Sequence, residues 1–258
     1  MDWNELWAFR ELLYFLLWRD LKIRYRETVM GVTWAILQPV LVMAVFSLVL
    51  GRFVHVPSDG LPYPLFSFAG LVPWITFSNT VGNSAVCLTS ETQLIKKVYF
   101  PRIILPTVAV LNGIIDIALA FAVLLIMMTA YGVSPSIRVL CIPGLILLGV
   151  GVALGVGLWL AALNARFRDV RHAVPFLVQI WMFATPILYP SSVLSTEWRT
   201  IMWLNPMATV VEGFRWALLG SSAAHQSMFW ISGLVTAILL VSGVHFFRRT
   251  ERILADVL

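Results

Sequence analysis

The sequence predicts an all-α membrane protein with six transmembrane helices. Of its 258 residues, 60% are hydrophobic and only 12% are charged, which is about half the charged share of a soluble domain. The apolar residues are grouped into six stretches, and a helix needs about 20 of them to cross a bilayer. Helices are expected because a backbone inside lipid must satisfy its own hydrogen bonds. We therefore predict one membrane domain over residues 1–258, with the six spans inside residues 31–247.

The six predicted spans differ in length and in how regular they are. The second span contains Pro62, Pro64 and Pro73, which we expect to bend or break it. The third contains a single charge, Asp116, and the fifth is short. In chain order the spans are residues 31–50, 61–86, 103–131, 139–163, 173–189 and 229–247.

Basic residues are unevenly distributed among the connections between the spans. Fourteen of the 18 lysines and arginines lie in the N-terminal segment, the second and fourth connections and the C-terminal tail, residues 248–258. Basic loops next to spans mark the cytoplasmic side, so both termini are predicted to be cytoplasmic. The pI near 9.6 is explained by this topology, and we expect no nucleic acid partner.

Two further segments are rich in aromatic residues but cannot span. In residues 1–30, apolar residues recur at helical spacing between dense charges, which predicts an interfacial helix on the cytoplasmic face. The segment at 190–228 is aromatic and interrupted, which predicts short re-entrant or interfacial helices. The residues expected to characterise the N-terminal helix are Trp3, Trp7, Arg10, Tyr14 and Arg19.

The chain contains no motif for catalysis or nucleotide binding. GxxxxGK[ST], HExxH and GxSxG are all missing. The four histidines are widely spaced, and Cys87 and Cys141 give neither a metal pattern nor a disulfide framework. We expect no enzyme activity of its own and no cofactor or metal on this chain.

Asp116 is the one acidic residue inside a predicted span. An intramembrane carboxylate is a functional candidate by default, so a proton-coupled carrier or an intramembrane enzyme using Asp116 is an alternative from another class. The simpler interpretation is a buried carboxylate that bonds to Asn112 or to a neighbouring helix, because no second acid offers a relay. A structural membrane scaffold is a third possibility.

Small and aromatic residues within the predicted spans bear on helix packing, on a substrate path and on assembly. Gly151 and Gly155 form a small-xxx-small pair, suited to close helix contact within one subunit or between two. Aromatic faces attract the C–H surfaces of sugars, so Trp34, Phe77 and Trp181 are candidates for a substrate path as well as for packing. Six helices scarcely surround a wide lumen, so transport of a bulky substrate would need a second copy.

Four separated motifs occur in chain order: RDLKIRYRETVMGVTWAILQP at 19–39, TQLIKKVYFPRIILP at 92–106, NARFRDVRHAVPFLVQIWMFATPILYP at 164–190 and NPMATVVEGFR at 205–215. These motifs resemble those of ABC-2 type permeases, in particular the membrane subunits that export O-antigen, capsule or teichoic acid. The resemblance implies a homodimeric channel in the bacterial inner membrane. It also implies two copies of a separate ATPase subunit on the cytoplasmic side, which would bind ATP and Mg.

The resemblance also implies roles for particular segments. The N-terminal helix would lie near the ATPase, and short helices over 191–220 would lie near the outer mouth of the channel. The connection between the second and third spans would carry a coupling helix that docks into the ATPase. That helix maps onto Glu91, Thr92, Gln93, Leu94, Ile95, Lys96, Lys97 and Val98.

The basic cluster after the fourth span has two interpretations. Guanidinium groups suit phosphate oxygens, so Arg166, Arg168 and Arg171 are candidate contacts for anionic lipid, for the ATPase or for the pyrophosphate of a lipid-linked substrate. Alternatively, the cluster only sets the topology, with Asp169 paired to a neighbouring arginine.

On these grounds the sequence predicts the transmembrane subunit of an ATP-driven exporter of a lipid-linked polysaccharide, an O-antigen. Its partners would be a second copy of itself, the ATPase, the polysaccharide and membrane lipids. The alternative within transport is an ABC-2 exporter of teichoic acid, capsule, drugs or small lipids.

Overall fold

The computed structural model describes residues 7–26, 32–221 and 226–254. These residues form ten α-helices and no strand, in agreement with the predicted all-α class. Trp3 lies outside the described residues. The helices are α1 (Arg10–Arg26), α2 (Val32–Phe46), α3 (Tyr63–Ser90), α4 (Thr92–Lys97), α5 (Ile104–Ala130), α6 (Ile142–Arg166), α7 (Val170–Phe183), α8 (Thr196–Met202), α9 (Pro206–Leu219) and α10 (Gln226–Leu254).

Short turns extend or link several of these helices. A π-helical segment, Ser47–Phe53, continues α2, and a 3₁₀ turn, Ile137–Cys141, leads into α6. Four stretches of the described chain are long and apolar enough to cross a membrane, and they coincide with the predicted first, third, fourth and sixth spans. They are Thr33–Phe53, Ile104–Ala130, Ile137–Arg166 and Ser227–Glu251.

Helix α3 coincides with the predicted second span and is one continuous helix. It is not apolar enough to be counted among those four stretches. Pro62 caps it and Pro64 lies in its first turn, where no backbone hydrogen bond is lost. Pro73 is buried within the helix, which continues through it, so the expected break is wrong. Because α3 packs against α5, α6 and α9, it is buried on most sides and needs no lipid-facing surface.

The predicted fifth span, residues 173–189, is not one continuous helix. Helix α7 has 14 residues and ends at Phe183, so it rises only about 21 Å. The hydrocarbon core of a bilayer is about 30 Å thick. Residues 184–190 form turns instead, so α7 alone is too short to span.

Two short helices, α8 and α9, lie in the segment predicted to hold short helices between the fifth and sixth predicted spans. The first ten residues of α9, from Pro206 to Arg215, are all buried. They pack against α3 and α6, so α9 lies inside the helix bundle and not on its surface.

The glycine pair of α6 packs against α10 of the same chain. A Cβ added at Gly155 would lie 2.9 Å from the backbone carbon of Leu239, and one at Gly151 would lie 2.9 Å from the Thr236 side chain. A Cβ at Gly243 would lie 2.6 Å from the Gly155 carbonyl oxygen. Of the two interpretations of this pair, packing within the subunit is the one found.

The connections predicted to be cytoplasmic share one end of the bundle. The Asn164 side chain donates to the Thr89 hydroxyl over 3.2 Å, and the Arg102 backbone N–H donates to Glu251 over 2.9 Å. These contacts bring together the second connection, the fourth connection and the end of α10. Most of the described basic residues therefore gather at one end.

Candidate functional site

Helix α1 is attached to that basic end by charged side chains. The Arg19 guanidinium donates to both carboxylate oxygens of Glu91, over 2.6 and 3.2 Å, and also to Asp20 over 2.9 Å. The hydrogen bond to Glu91 raises the pKa of Arg19 above its ordinary value. Because Glu91 is the residue just before α4, this ion pair joins α1 to the predicted coupling helix.

Two more polar contacts attach α1 to α5. Arg24 pairs with Asp116 over 2.6 Å, and the Asn112 amide donates to Asp20 over 3.4 Å. Asn112 and Asp116 are four residues apart and share one face of α5. The expected bond from Asp116 to a neighbouring helix is found, but Asp116 is partly exposed and not fully buried. We call this set the ionic seam: Arg19, Asp20, Arg24, Glu91, Asn112 and Asp116.

Helix α4, the predicted coupling helix, has one inward and one outward side. Leu94 and Ile95 are partly buried against a core cluster that includes Leu16 and Phe100. Thr92 is partly exposed. The basic side projects from the end of the bundle and is free to contact another protein. Its exposed residues are Gln93, Lys96, Lys97 and Val98.

The outer face of α1 is aromatic. Trp7, Tyr14 and Trp18 are all more than half exposed, whereas Leu16 is buried, and the Arg10 guanidinium lies 5.4 Å from the Trp7 ring centroid. The predicted interfacial residues are therefore divided between two sides of the helix. Trp7, Arg10 and Tyr14 project outward, and Arg19 belongs to the ionic seam.

A cavity of about 660 Å³ lies beside the ionic seam, between α1, α2, α3 and α5. The Arg24–Asp116 pair borders it, and Trp34 of α2 stands in it with 54% of its surface exposed. Three neutral amides also line it. We call this cavity the amide cleft, and its polar and aromatic lining residues are Arg24, Trp34, Gln38, Thr76, Asn79, Asn83 and Asp116.

The structure separates one of the three predicted substrate-path residues, Trp34, from the other two. Trp34 lines the amide cleft, but Phe77 is only 3% exposed and packs edge-on against Trp181 at 5.1 Å between ring centroids. The Trp181 indole N–H donates to Asn205 over 3.0 Å. Within this chain Phe77 and Trp181 pack in an aromatic cluster with Trp74, because α7 lies directly against α3.

Arg166, Arg168 and Arg171 are exposed at the basic end. Arg166 lies over the ring of Phe167 at 5.3 Å, and the Arg171 side chain donates to His172 over 3.0 Å. Among the described residues no ion pair joins Asp169 to a neighbouring arginine. The guanidinium groups are thus accessible to an external anion.

Another arginine–carboxylate pair, Arg215 with Glu212, lies in the interior, away from this end. Arg215 of α9 is fully buried and donates to the carbonyl oxygens of Phe66 (3.2 Å), Pro186 (2.5 Å) and Ile187, and to Glu212 (3.2 Å). Its guanidinium also lies 3.6 Å from the Phe66 ring centroid. We call these groups the arginine clamp, which fastens the turns after α7 to α3 and α9.

The burial of the arginine clamp shifts both titratable groups toward their neutral forms. It raises the pKa of Glu212 and lowers the pKa of Arg215, because a charged group loses its hydration when it is buried. Both residues lie in the motif at 205–215, but their pairing was not predicted from the sequence. The pairing could have been predicted because the two opposite charges are three residues apart in a segment that is otherwise uncharged.

Comparison with known proteins supplies the family. Residues 11–219 match the ABC-2 type transporter family. The chain is 38% identical, over 82% of each protein, to the O-antigen export system permease protein RfbA of Myxococcus xanthus. It is 28% identical to a protein of the same name from Klebsiella pneumoniae, over 100% of this chain and 98% of that protein.

A more distant similarity extends to another glycan. The polysialic acid transport protein KpsM of Escherichia coli is 22% identical over 90% of this chain and 91% of its own length. The ionic seam, the amide cleft and the arginine clamp all lie within the matched family region.

Proposed function

Because the chain belongs to the ABC-2 type transporter family, we propose that it is the transmembrane subunit of an ATP-driven exporter of lipid-linked polysaccharide. The observation that carries this proposal is the 38% identity to an O-antigen export permease over 82% of both chains. We therefore assign an O-antigen as the substrate class and the bacterial inner membrane as the location. A capsular polymer is the second candidate, on the weaker similarity to KpsM.

The proposed topology has six membrane segments with both termini in the cytoplasm. Helix α3 has 28 residues, about 42 Å, which is long enough to be the second span. Helix α7 together with the turns that follow it serves as the fifth. Clustering of basic residues at one end supports a cytoplasmic position for that end, with α1 at the interface and with α8 and α9 toward the outer side.

The proposed assembly has two copies of this chain and two copies of a separate ATPase subunit, which binds ATP and Mg. This division of labour fits a chain whose sequence has no phosphate-binding loop. The amide cleft is bounded by α1, α2, α3 and α5 of one chain. In the proposed dimer a second copy closes its open side and turns two clefts into one lumen.

The proposed coupling runs from α4 to the amide cleft through the ionic seam. The ATPase contacts the exposed Lys96 and Lys97, and the adjoining Glu91 holds Arg19 of α1. Arg24, further along α1, borders the cleft and pairs with Asp116. Movement of the ATPase against α4 is therefore transmitted to the amide cleft through α1.

The exposed arginines of the fourth connection and Asp116 have different roles in this scheme. Arg166, Arg168 and Arg171 stand at the cytoplasmic end as contacts for the ATPase, anionic lipid or substrate pyrophosphate. Asp116 serves as an anchor for α1. Its ion pair with Arg24 favours that role over a proton carrier or an intramembrane enzyme.

The proposal is tested by complementation in a bacterium that lacks its own O-antigen permease. Expressed with its ATPase, this chain should restore polysaccharide at the cell surface. Lys96→Glu combined with Lys97→Glu should abolish most of that export at normal membrane abundance, because the docking face reverses its charge. Lys96→Arg with Lys97→Arg is the matched control and should retain export. Undiminished export by the glutamate variant would contradict the coupling role.

A further inference from the structure

Two exposed asparagines stand out on α3, a helix whose residues are mostly buried. Asn79 and Asn83 are exposed, although most of α3 around them is buried. With Thr76 they fall at spacings of three and four residues, so they share one face of the helix. That face borders the amide cleft, and Gln38 of α2 lines the same cavity.

These amides are not used to hold the fold together. Within the ranges that the structure describes, none of the side chains of Gln38, Asn79 and Asn83 forms a hydrogen bond. Both α2 and α3 are membrane segments in the proposed topology, and a polar group left unpaired in hydrocarbon costs several kcal/mol. These three amides therefore need water or a polar ligand in the cleft.

The chemistry of the lining selects the kind of ligand. An amide offers two donors and a carbonyl acceptor, which matches hydroxyl groups that both donate and accept. The described charged groups of the cleft, Arg24 and Asp116, neutralise each other. Trp34 adds an exposed ring that suits the C–H face of a sugar. A volume of about 660 Å³ is within the usual range of small-molecule sites.

We propose that the amide cleft is the glycan-contacting surface of the export path. Gln38, Asn79 and Asn83 hydrogen-bond to sugar hydroxyls, and Trp34 packs against sugar rings. Neutral contacts of this kind are individually weak, and conduction requires binding that is weak enough to release. This inference rests on the proposed function, because it takes the exported polysaccharide as the ligand.

Cysteine accessibility tests the proposal without purified substrate. The exposed Cys141 is replaced by alanine, and Asn79→Cys or Asn83→Cys is introduced in membranes that contain the ATPase. Leu147→Cys, on an exposed apolar position of α6, is the lipid-facing control. A charged, water-soluble thiosulfonate should modify positions 79 and 83 many times faster than position 147. Synthesis of the polysaccharide should slow that modification.

Each other outcome overturns the inference. Modification as slow as at position 147 would mean that the asparagines face lipid. Spontaneous disulfides between two copies, without modification, would make them a subunit interface. Fast modification that the polysaccharide does not slow would mean a water-filled cleft that the glycan does not contact.

Export by an amide-free variant provides the second test. Asn79→Leu with Asn83→Leu should lower surface polysaccharide several-fold while the permease still co-purifies with its ATPase. Ser78→Ala, on the same helix but outside the cleft, should export normally. Equal export by the leucine variant would refute the inference alone. Failure of the wild-type chain to export any glycan would instead refute the proposed function.

Discussion

The ionic seam and the arginine clamp both pair an arginine with a carboxylate, but in opposite environments. In the ionic seam the side chains of Arg19 and Glu91 are 40% and 25% exposed, whereas those of Arg215 and Glu212 are 0% and 2% exposed. Exposed pairs stabilise by about 0.2–1 kcal/mol, and loss of one partner from a buried pair costs about 3–5 kcal/mol. The exposed pair at the basic end can therefore separate at a small cost in free energy. The buried pair holds the helices and turns of the interior in a fixed arrangement.

The difference follows from what each arginine holds. Arg215 satisfies carbonyl oxygens of Pro186 and Ile187 in the turns after α7, which have no helix of their own to pair with. Arg19 instead joins two separate elements, α1 and the start of α4, at the surface. Movement of α4 can break the Arg19–Glu91 pair and let water solvate both groups.

Arg215→Leu should have the largest effect. It would leave Glu212 buried without its partner and remove donors from three carbonyl oxygens, so unfolding free energy should fall by about 3–5 kcal/mol. Thermal unfolding of the purified protein in detergent measures this loss. Arg138→Leu, which removes only an arginine that lies over Trp216, is the control and should change stability little. Equal stability of the Arg215→Leu and Arg138→Leu variants would show that Arg215 does not stabilise the fold as proposed.

Glu212→Gln should lower the free energy of unfolding by less than Arg215→Leu. Arg215 would keep its carbonyl acceptors and lose only its countercharge, a loss of about 1.5–3 kcal/mol. The same thermal unfolding experiment compares the two variants. A Glu212→Gln protein less stable than Arg215→Leu would show that the carboxylate, not the carbonyl contacts, dominates the arginine clamp.

Arg19→Glu should affect activity far more than stability. Stability should change by less than about 1 kcal/mol, because the residue is partly exposed. Export should fall several-fold, since α1 is repelled from Glu91. Adding Glu91→Arg restores the opposite charges and should recover part of the export, which a double-mutant cycle quantifies. A double variant no better than the single one would show that this pair carries no coupling.

Asp116→Asn should have the smallest effect. The amide oxygen can still accept a hydrogen bond from Arg24, so export should persist and stability should fall by about 1 kcal/mol or less. Export assays at matched membrane abundance provide the measurement. Complete loss of export in a stably folded Asp116→Asn protein would favour the carrier hypothesis over the anchoring role.

Much of the fold could be predicted because its signals are local. The four apolar stretches and the one-sided basic residues come from runs or counts in sequence, whereas the helix over residues 92–97 was expected only from the family resemblance. Proline was misleading at Pro73, because the surrounding helices hold α3 together across it. The hydropathy of α3 is lower because other helices surround it on most sides. The sequence of α3 alone does not show these neighbours.

The ionic seam and the amide cleft could not be derived in the same way. Arg24 and Asp116 are 92 positions apart, and Arg19 and Glu91 are 72 apart, so only the folded chain brings them together. An isolated charge near or inside a span does indicate that a partner exists. Which residue supplies it depends on how α1 packs against α5.

In the proposed function, this chain conducts a glycan with energy supplied by another protein. The most direct measurement is ATP-dependent movement of lipid-linked polysaccharide in vesicles reconstituted with this chain and its ATPase. We predict movement that requires both chains and ATP and that stops with the Lys96→Glu, Lys97→Glu variant. ATP hydrolysis by the complete complex with no glycan movement would contradict the claim.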